Sequence, residues 1–571
     1  MRFRFAIAAV GAFLATPVAL PAQAHAPGVT VITGTLLGAD GAPMKLAHVH
    51  LLNSRGSGLV ARAQVEPDGR FALATVRTGM FRLEFTGVDH YSATIPLFAP
   101  SHITLAVDVR LKHYAYADTL DKVTAIGDWN QFGFGDPKPL TRQPDGRYAV
   151  TVDVTTDTLA YQLLGLEATA GGSHSINGTS SDRWVYDEGG DYRSVIAARD
   201  GHATIVFDPA KLDRRPPGEV SVTFADPKSP EGRLYALWGD WQAERNHMMD
   251  SAQAARKRNE HTHYDWAPFL AGRIAMLPRT RDPLIKQLVL EQILDATAMG
   301  GKIDTLLARR IIAELPPTSP LWAFFEFGSP SRMMAAYRAA RGDSAQARDT
   351  TVFRPTLAYV DRAVAENPDS SVKAEALSQG VMLARVLHDQ VRSNEYYDRL
   401  VTEYPDAPDL AYLKAQFAPN RVWQAGHDVP AFHFASLDDT TVTYTPASFA
   451  GKVYLLDFWA TWCGPCIGEM KYLQAAHDSL AARGLEMLSI SLDNSAEDVR
   501  KFRGGEWKMP WLHAIAAGEW GGARMRELEI IFVPRAILVG RDGKILAVDE
   551  GLRGDALLPT LRHALEAAPT P

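Results

Sequence analysis

Cysteine is nearly missing from this sequence: 571 residues hold two, Cys463 and Cys466. That excludes a scaffold of many disulfides, and a bridge between positions so close together closes too short a loop to be a natural staple. A structural zinc site is a poor fit as well, because it wants four Cys or His ligands and no histidine lies within ten residues of the pair. Redox chemistry is the reading left.

Long apolar runs are also scarce. The stretch Ala6 to Leu20 is shorter than the ~20 residues a membrane span needs and contains Pro17. With Arg2 and Arg4 before it and Ala22-Gln23-Ala24 after it, it reads as a cleaved signal peptide, residues 1–24, with the mature chain starting near His25. A bacterial, periplasmic or otherwise exported location follows as an expectation. No cysteine stands behind the signal for lipidation, and no later segment is apolar enough to span a bilayer. A long block of one charge is missing too: the formal net charge is −7, spread along the chain, which argues against nucleic acid as a partner.

What is present is pattern, in several blocks. A single core stops growing at roughly 250 to 300 residues, so the chain is expected to be multidomain. Residues 29–111 carry short β-rich runs with turn signals (GADGAP, AHVHLLN, EPDGRFAL, GMFRLEFTG) and resemble carboxypeptidase regulatory-like β-sandwiches. The expected role is a spacer or docking module. Residues 120–225 (GDWNQFGF, QPDGRYAVTVDV, LAYQLLG) resemble an early-set, glycogen-binding type of β-sandwich, which makes a glycan a possible partner through Trp129 and Trp184, unless these are packed core aromatics. From 231 to 418 the apolar spacing turns helical. Within it YVDRAVAENPD (359–369) and YYDRLVTEYPD (396–406) align, each ending at a Pro-Asp breaker, and so resemble a tetratricopeptide-like (TPR-like) array, either a peptide-binding surface or a rigid spacer. His48 and His50 share a strand face, and His261 and His263 share a polar segment; these are expected to be surface histidines, and no metal site is assigned.

From 422 to 571 strands alternate with helices, the mark of an α/β layer fold. KVYLLDFWA is a buried strand running straight into TWCGPCIGEMKYLQAAHDSL, a turn that opens an amphipathic helix. Cys463 therefore sits where unpaired backbone N–H groups and the positive end of the helix dipole favour a thiolate, which makes it the nucleophile. Such cysteines titrate at roughly 3.5 to 7.5 instead of about 8.5. Cys466, one turn on and on the same helical face, is the resolving thiol. Asp457, among the apolar side chains of LLDFWA, is the candidate base, unless it faces solvent.

HDVPAFHFASLDD, the Gly-Lys before the buried strand, DFWATWCGPC followed by Glu469, and Val-Pro before a late strand resemble the TlpA/ResA-like thioredoxins, exported redoxins with the AhpC/TSA-type thioredoxin fold. The resemblance implies a thioredoxin fold over 422–571 and thiol-disulfide oxidoreductase activity with no cofactor beyond the Cys463–Cys466 pair. It implies disulfide-bearing protein substrates and a membrane thiol electron donor. It carries the family's cis-proline onto Pro534, gives the Val533 backbone to substrate pairing, and places Trp462 at the substrate face. It also supports Asp457, since thioredoxins have a buried aspartate at that place, although the exported branch often has Asn. Arg535 stands where a small Thr is usual, and as a cation beside the thiolate it is expected to lower the Cys463 pKa further or to prefer acidic substrates. Two other readings differ in class. A glycan- or peptide-binding envelope protein would carry the redox domain as an accessory. A peroxiredoxin would want Pro-x-x-x-Thr-x-x-Cys, and Leu456 precedes Asp457 here.

Overall fold

The computed structural model describes residues 28–567 except 57, 100–102, 121, 134–136, 169–182, 189–190, 259–263, 325–328, 342–351, 419, 519 and 550. The expected signal segment 1–24 and the pair His261 and His263 lie outside the described residues. The chain divides into two compact units between Ser393 and Asn394.

The first unit opens with two four-stranded sheets. One has the order Ser221–Phe224, Thr104–Arg110, Thr30–Leu37, Arg70–Thr75, and the other Leu59–Gln64, Ala47–Asn53, Gly79–Gly87, Ala93–Ala99. Strict alternation along Thr104–Arg110 turns Leu105, Val107 and Val109 inward onto Ile32, Val49, Leu83 and Phe85, while Asp108 and Arg110 face out. The strand Ser221–Phe224 corrects the expected boundary of the 120–225 domain. It pairs antiparallel with Thr104–Arg110, Val222 opposite Val109, and buries Phe224 in the first core. Its period-2 pattern identifies a strand but not the sheet it completes.

A three-stranded and a five-stranded sheet follow within 124–207, around Tyr148, Leu159, Tyr161, Ile205 and Phe207. Trp129 is no exposed platform: it is half-buried against this core, with its ring edge filling the space over Gly127. The Trp184 ring is covered by the Lys45 ammonium, 4.9 Å from its centroid. His48 and His50 are buried, not at the surface. His48 Nδ1 lies 3.1 Å from the Tyr192 hydroxyl and His50 Nε2 meets that of Tyr186. Burial pulls the His48 pKa down to about 4, so the ring is neutral. Among the described residues no group of three or more His, Cys, Asp or Glu is arranged to hold a metal ion.

Helices from Pro230–Lys257 to Ser370–Val386 complete this unit. Asp282, Asp304 and Asp369 cap three of them, each accepting a backbone N–H of the first turn. The two repeat copies fall at the ends of Phe353–Glu366 and Gln390–Glu403. The expected helical domain 231–418 runs past the division of the chain, so its last helix belongs to the second unit.

In that second unit, α1 is Leu410–Phe417, β1 Phe434–Ser436, β2 Thr443–Tyr444, β3 Val453–Trp459, α2 Gly464–Leu480, β4 Leu485–Ser491, α3 Ala496–Gly504, β5 Leu512–Ile515, α4 Ala523–Glu527, β6 Arg535–Val539, β7 Ile545–Val548 and α5 Leu557–Glu566. The sheet order is β2-β1-β5-β4-β3-β6-β7, with β3, β4 and β5 parallel and β6 antiparallel to β3. All seven residues of β3 are buried, as a central strand covered on both faces requires. Val453, Leu455 and Trp459 meet Met470 and Leu473 of α2 and Leu561 of α5; Tyr454, Leu456 and Phe458 meet Trp423, Phe434, Met525 and Ile530 on the other face. This is a thioredoxin fold.

Candidate active site

The chain leaves β3 through Ala460-Thr461-Trp462 and enters α2 at Cys463. That turn is pinned by Asp493, just past β4. Its carboxylate accepts the Thr461 hydroxyl at 2.6 Å, the Thr461 N–H at 3.0 Å and the Ser491 hydroxyl at 2.7 Å. Cys463 is the N-cap of α2, and its sulfur accepts the N–H of Cys466 at 3.2 Å. The two cysteines are joined as a disulfide across a Cα–Cα separation of 5.2 Å. Both cysteines are buried, Cys463 at 4% and Cys466 at 1% exposure.

By strand alternation Asp457 points to the face of the sheet that carries α2. It is 5% exposed, and burial raises its pKa to about 6. The Ser489 hydroxyl donates to its Oδ2 at 2.9 Å and opposes that rise, as does the charge of Arg553, whereas Glu469 adds to it. Ser489 in turn accepts the indole N–H of Trp511 at 2.9 Å, so a chain from β5 through β4 orients the carboxylate.

Pro534 is preceded by a cis peptide bond at the start of β6. Trp462 is 56% exposed beside the disulfide, and Trp520, 41% exposed, meets it edge to face with centroids 5.5 Å apart. Arg535 is not a cation beside the sulfurs. It is fully buried on the opposite face of the sheet, because the residue next to it in β6, Ala536, is the one opposite Asp457. Its guanidinium turns to the Ala415 carbonyl of α1 at 3.5 Å and to Asp549 at 3.9 Å. On this register Arg535 is no neighbour of the Cys463 sulfur and does not set its pKa.

Ser489, Trp511, Asp493, Trp520 and Arg553 were not found from sequence, since each reaches the site only through sheet register or a turn distant along the chain. Only Asp493, in SLDN after a strand, carried a local signal, that of a strand-end turn residue.

A disulfide at a strand-to-helix turn over a buried carboxyl, in this strand order, defines a thioredoxin-fold redox domain. Residues 424–555 match the Redoxin family model, so the chain carries a redoxin domain at its C-terminal end and is an oxidoreductase. Over this region it is similar to the thiol-disulfide oxidoreductase ResA of Bacillus cereus, 26% identical over 146 residues, which is 25% of this chain and 80% of that protein. The ResA of Bacillus subtilis is 23% identical over 157 residues, 27% of this chain and 84% of that protein. Among solved structures, the thioredoxin domain of a thiol-disulfide oxidoreductase from Bacteroides vulgatus is 28% identical, covers 24% of this chain and 96% of its own, and has a TM-score of 0.23.

Proposed function

We propose that this chain is an exported disulfide reductase acting on proteins. The observation that carries the reading is the Cys463–Cys466 disulfide, with Cys463 capping α2 and the buried Asp457 on the face of the sheet that carries this helix. In the reduced form the Cys463 thiolate attacks a substrate disulfide, forming the mixed disulfide and releasing the first substrate thiolate. Asp457, ionised at pH 7 on a pKa of about 6, takes the proton of Cys466. The Cys466 thiolate then attacks Cys463, restoring the internal disulfide and releasing the second substrate thiolate. Two electrons pass to the substrate. They are replaced by a dithiol donor at the membrane, which leaves as a disulfide. Trp462 and the backbone at Val533 and Pro534 bind the polypeptide around its cysteine. The ResA relatives support thiol-disulfide exchange as the activity, and the 1–24 segment supports export. No helix among the described residues is long and apolar enough to cross a membrane.

Trapping tests the roles. With insulin as the probe, reduced Cys466→Ser protein accumulates a mixed disulfide visible on a non-reducing gel, and Cys463→Ser protein forms none. Accumulation in Cys463→Ser instead would reverse the assignment. A reduction potential below about −230 mV supports a reductase, and one above about −160 mV makes the protein an oxidant.

A further inference from the structure

The turn between β7 and α5 touches both halves of the redox centre. From α2, Glu469 Oε2 accepts the Gly554 N–H at 2.8 Å. On the other side Arg553 Nη2 donates to the Pro534 carbonyl and, at 3.2 Å, to Asp549 Oδ1. Asp549 is clasped onto the strand that follows the proline: its N–H donates to the Ala536 carbonyl at 2.8 Å, and its Oδ1 accepts the Ala536 N–H at 3.1 Å. It does so at φ 54°, in the left-handed region that Asp tolerates in turns.

We propose that Arg553 is a positioning residue of the redox reaction: bridging Pro534 and Asp549 from a turn tied to α2, it holds the substrate-pairing backbone at Val533 in place against the disulfide helix. The inference rests on the reductase reading. The same guanidinium lowers the Asp457 pKa, against burial and Glu469, which raise it.

The test uses the full chain with Arg553→Gln and Arg553→Lys. In insulin reduction, Arg553→Gln raises KM about tenfold, the effect of one charge-assisted hydrogen bond lost. It also moves upward the pH midpoint that Asp457 imposes on Cys466 alkylation in a Cys463→Ser background. Arg553→Lys keeps the charge but ends one atom short of Nη2, the nitrogen that makes both bonds, so it keeps the wild-type midpoint while still raising KM. A folded Arg553→Gln protein with unchanged KM and midpoint overturns the proposal. Should that variant not fold, a wild-type KM in Arg553→Lys overturns the proposal. The alkylation midpoint involves no substrate, so it stays readable even if the wild-type chain reduces no disulfide, and failure of the functional reading is then seen separately.

Discussion

At the scale of single residues, Asp457 works against the stability of the fold it serves. Its pKa rises from 3.8 to about 6, so the folded protein favours the protonated acid. That contribution is fully present below pH 3.8 and is lost as the pH rises through about 6. By pH 8 the ionised, buried carboxylate costs about 3 kcal/mol. Asp457→Asn, which keeps an oxygen to accept the Ser489 hydroxyl, is therefore expected to raise the melting temperature of the oxidised protein at pH 8, to leave it near wild type at pH 4, and to slow resolution by Cys466. Thermal melts across that range would refute this if the gain were absent or equal at both ends. Cys463, Cys466 and Asp457 were legible in the sequence because they lie in one contiguous strand-turn-helix, where local pattern fixes burial and direction. Ser489 and Arg535 were not, because a one-residue step along a strand exchanges its faces. The register that makes Ser489 a partner of Asp457 sends Arg535 away from it.

At the scale of elements, the β3–α2 junction and the loop after β5 carry the exposed face of the site. Gly518 and Gly521 both have φ near +69° and flank the segment bearing Trp520, which meets Trp462 edge to face in solvent. Large aromatic surface left uncovered beside a reactive disulfide suits an apolar part of a polypeptide, and Trp is a frequent anchor of such contacts. Trp520→Ala is expected to raise KM for a protein disulfide about fivefold, the effect of losing a modest interface anchor, with kcat unchanged. Steady-state insulin reduction checks it, and a fall in kcat with constant KM would sink the binding role. The alternation of strands and helices from 422 onward was readable, since each element has its own period and length. Ser221–Phe224 was misplaced because its four residues show a strand without showing which edge it completes, a choice made by pairing across more than a hundred residues. For Trp129 the packed alternative is the one the fold supports: its ring lies against the core and over Gly127.

At the scale of the whole molecule, each unit has cores built from its own residues, and both cysteines belong to the second. Reduction is therefore expected to act on the stability of that unit. Closing so short a loop as Cys463–Cys466 constrains the unfolded chain by about 2 kcal/mol on the chain-entropy reckoning. For a unit of this size that corresponds to about 5 °C in melting temperature. Calorimetry of the full chain is expected to resolve two transitions. Dithiothreitol should lower one of them by about that amount and leave the other in place, and Cys463→Ser should show the lower value with or without reductant. A single transition, or an equal shift of both, would mean that the units unfold together. The stability of the β-sheet and helical part would then follow the redox state of a disulfide that it does not contain.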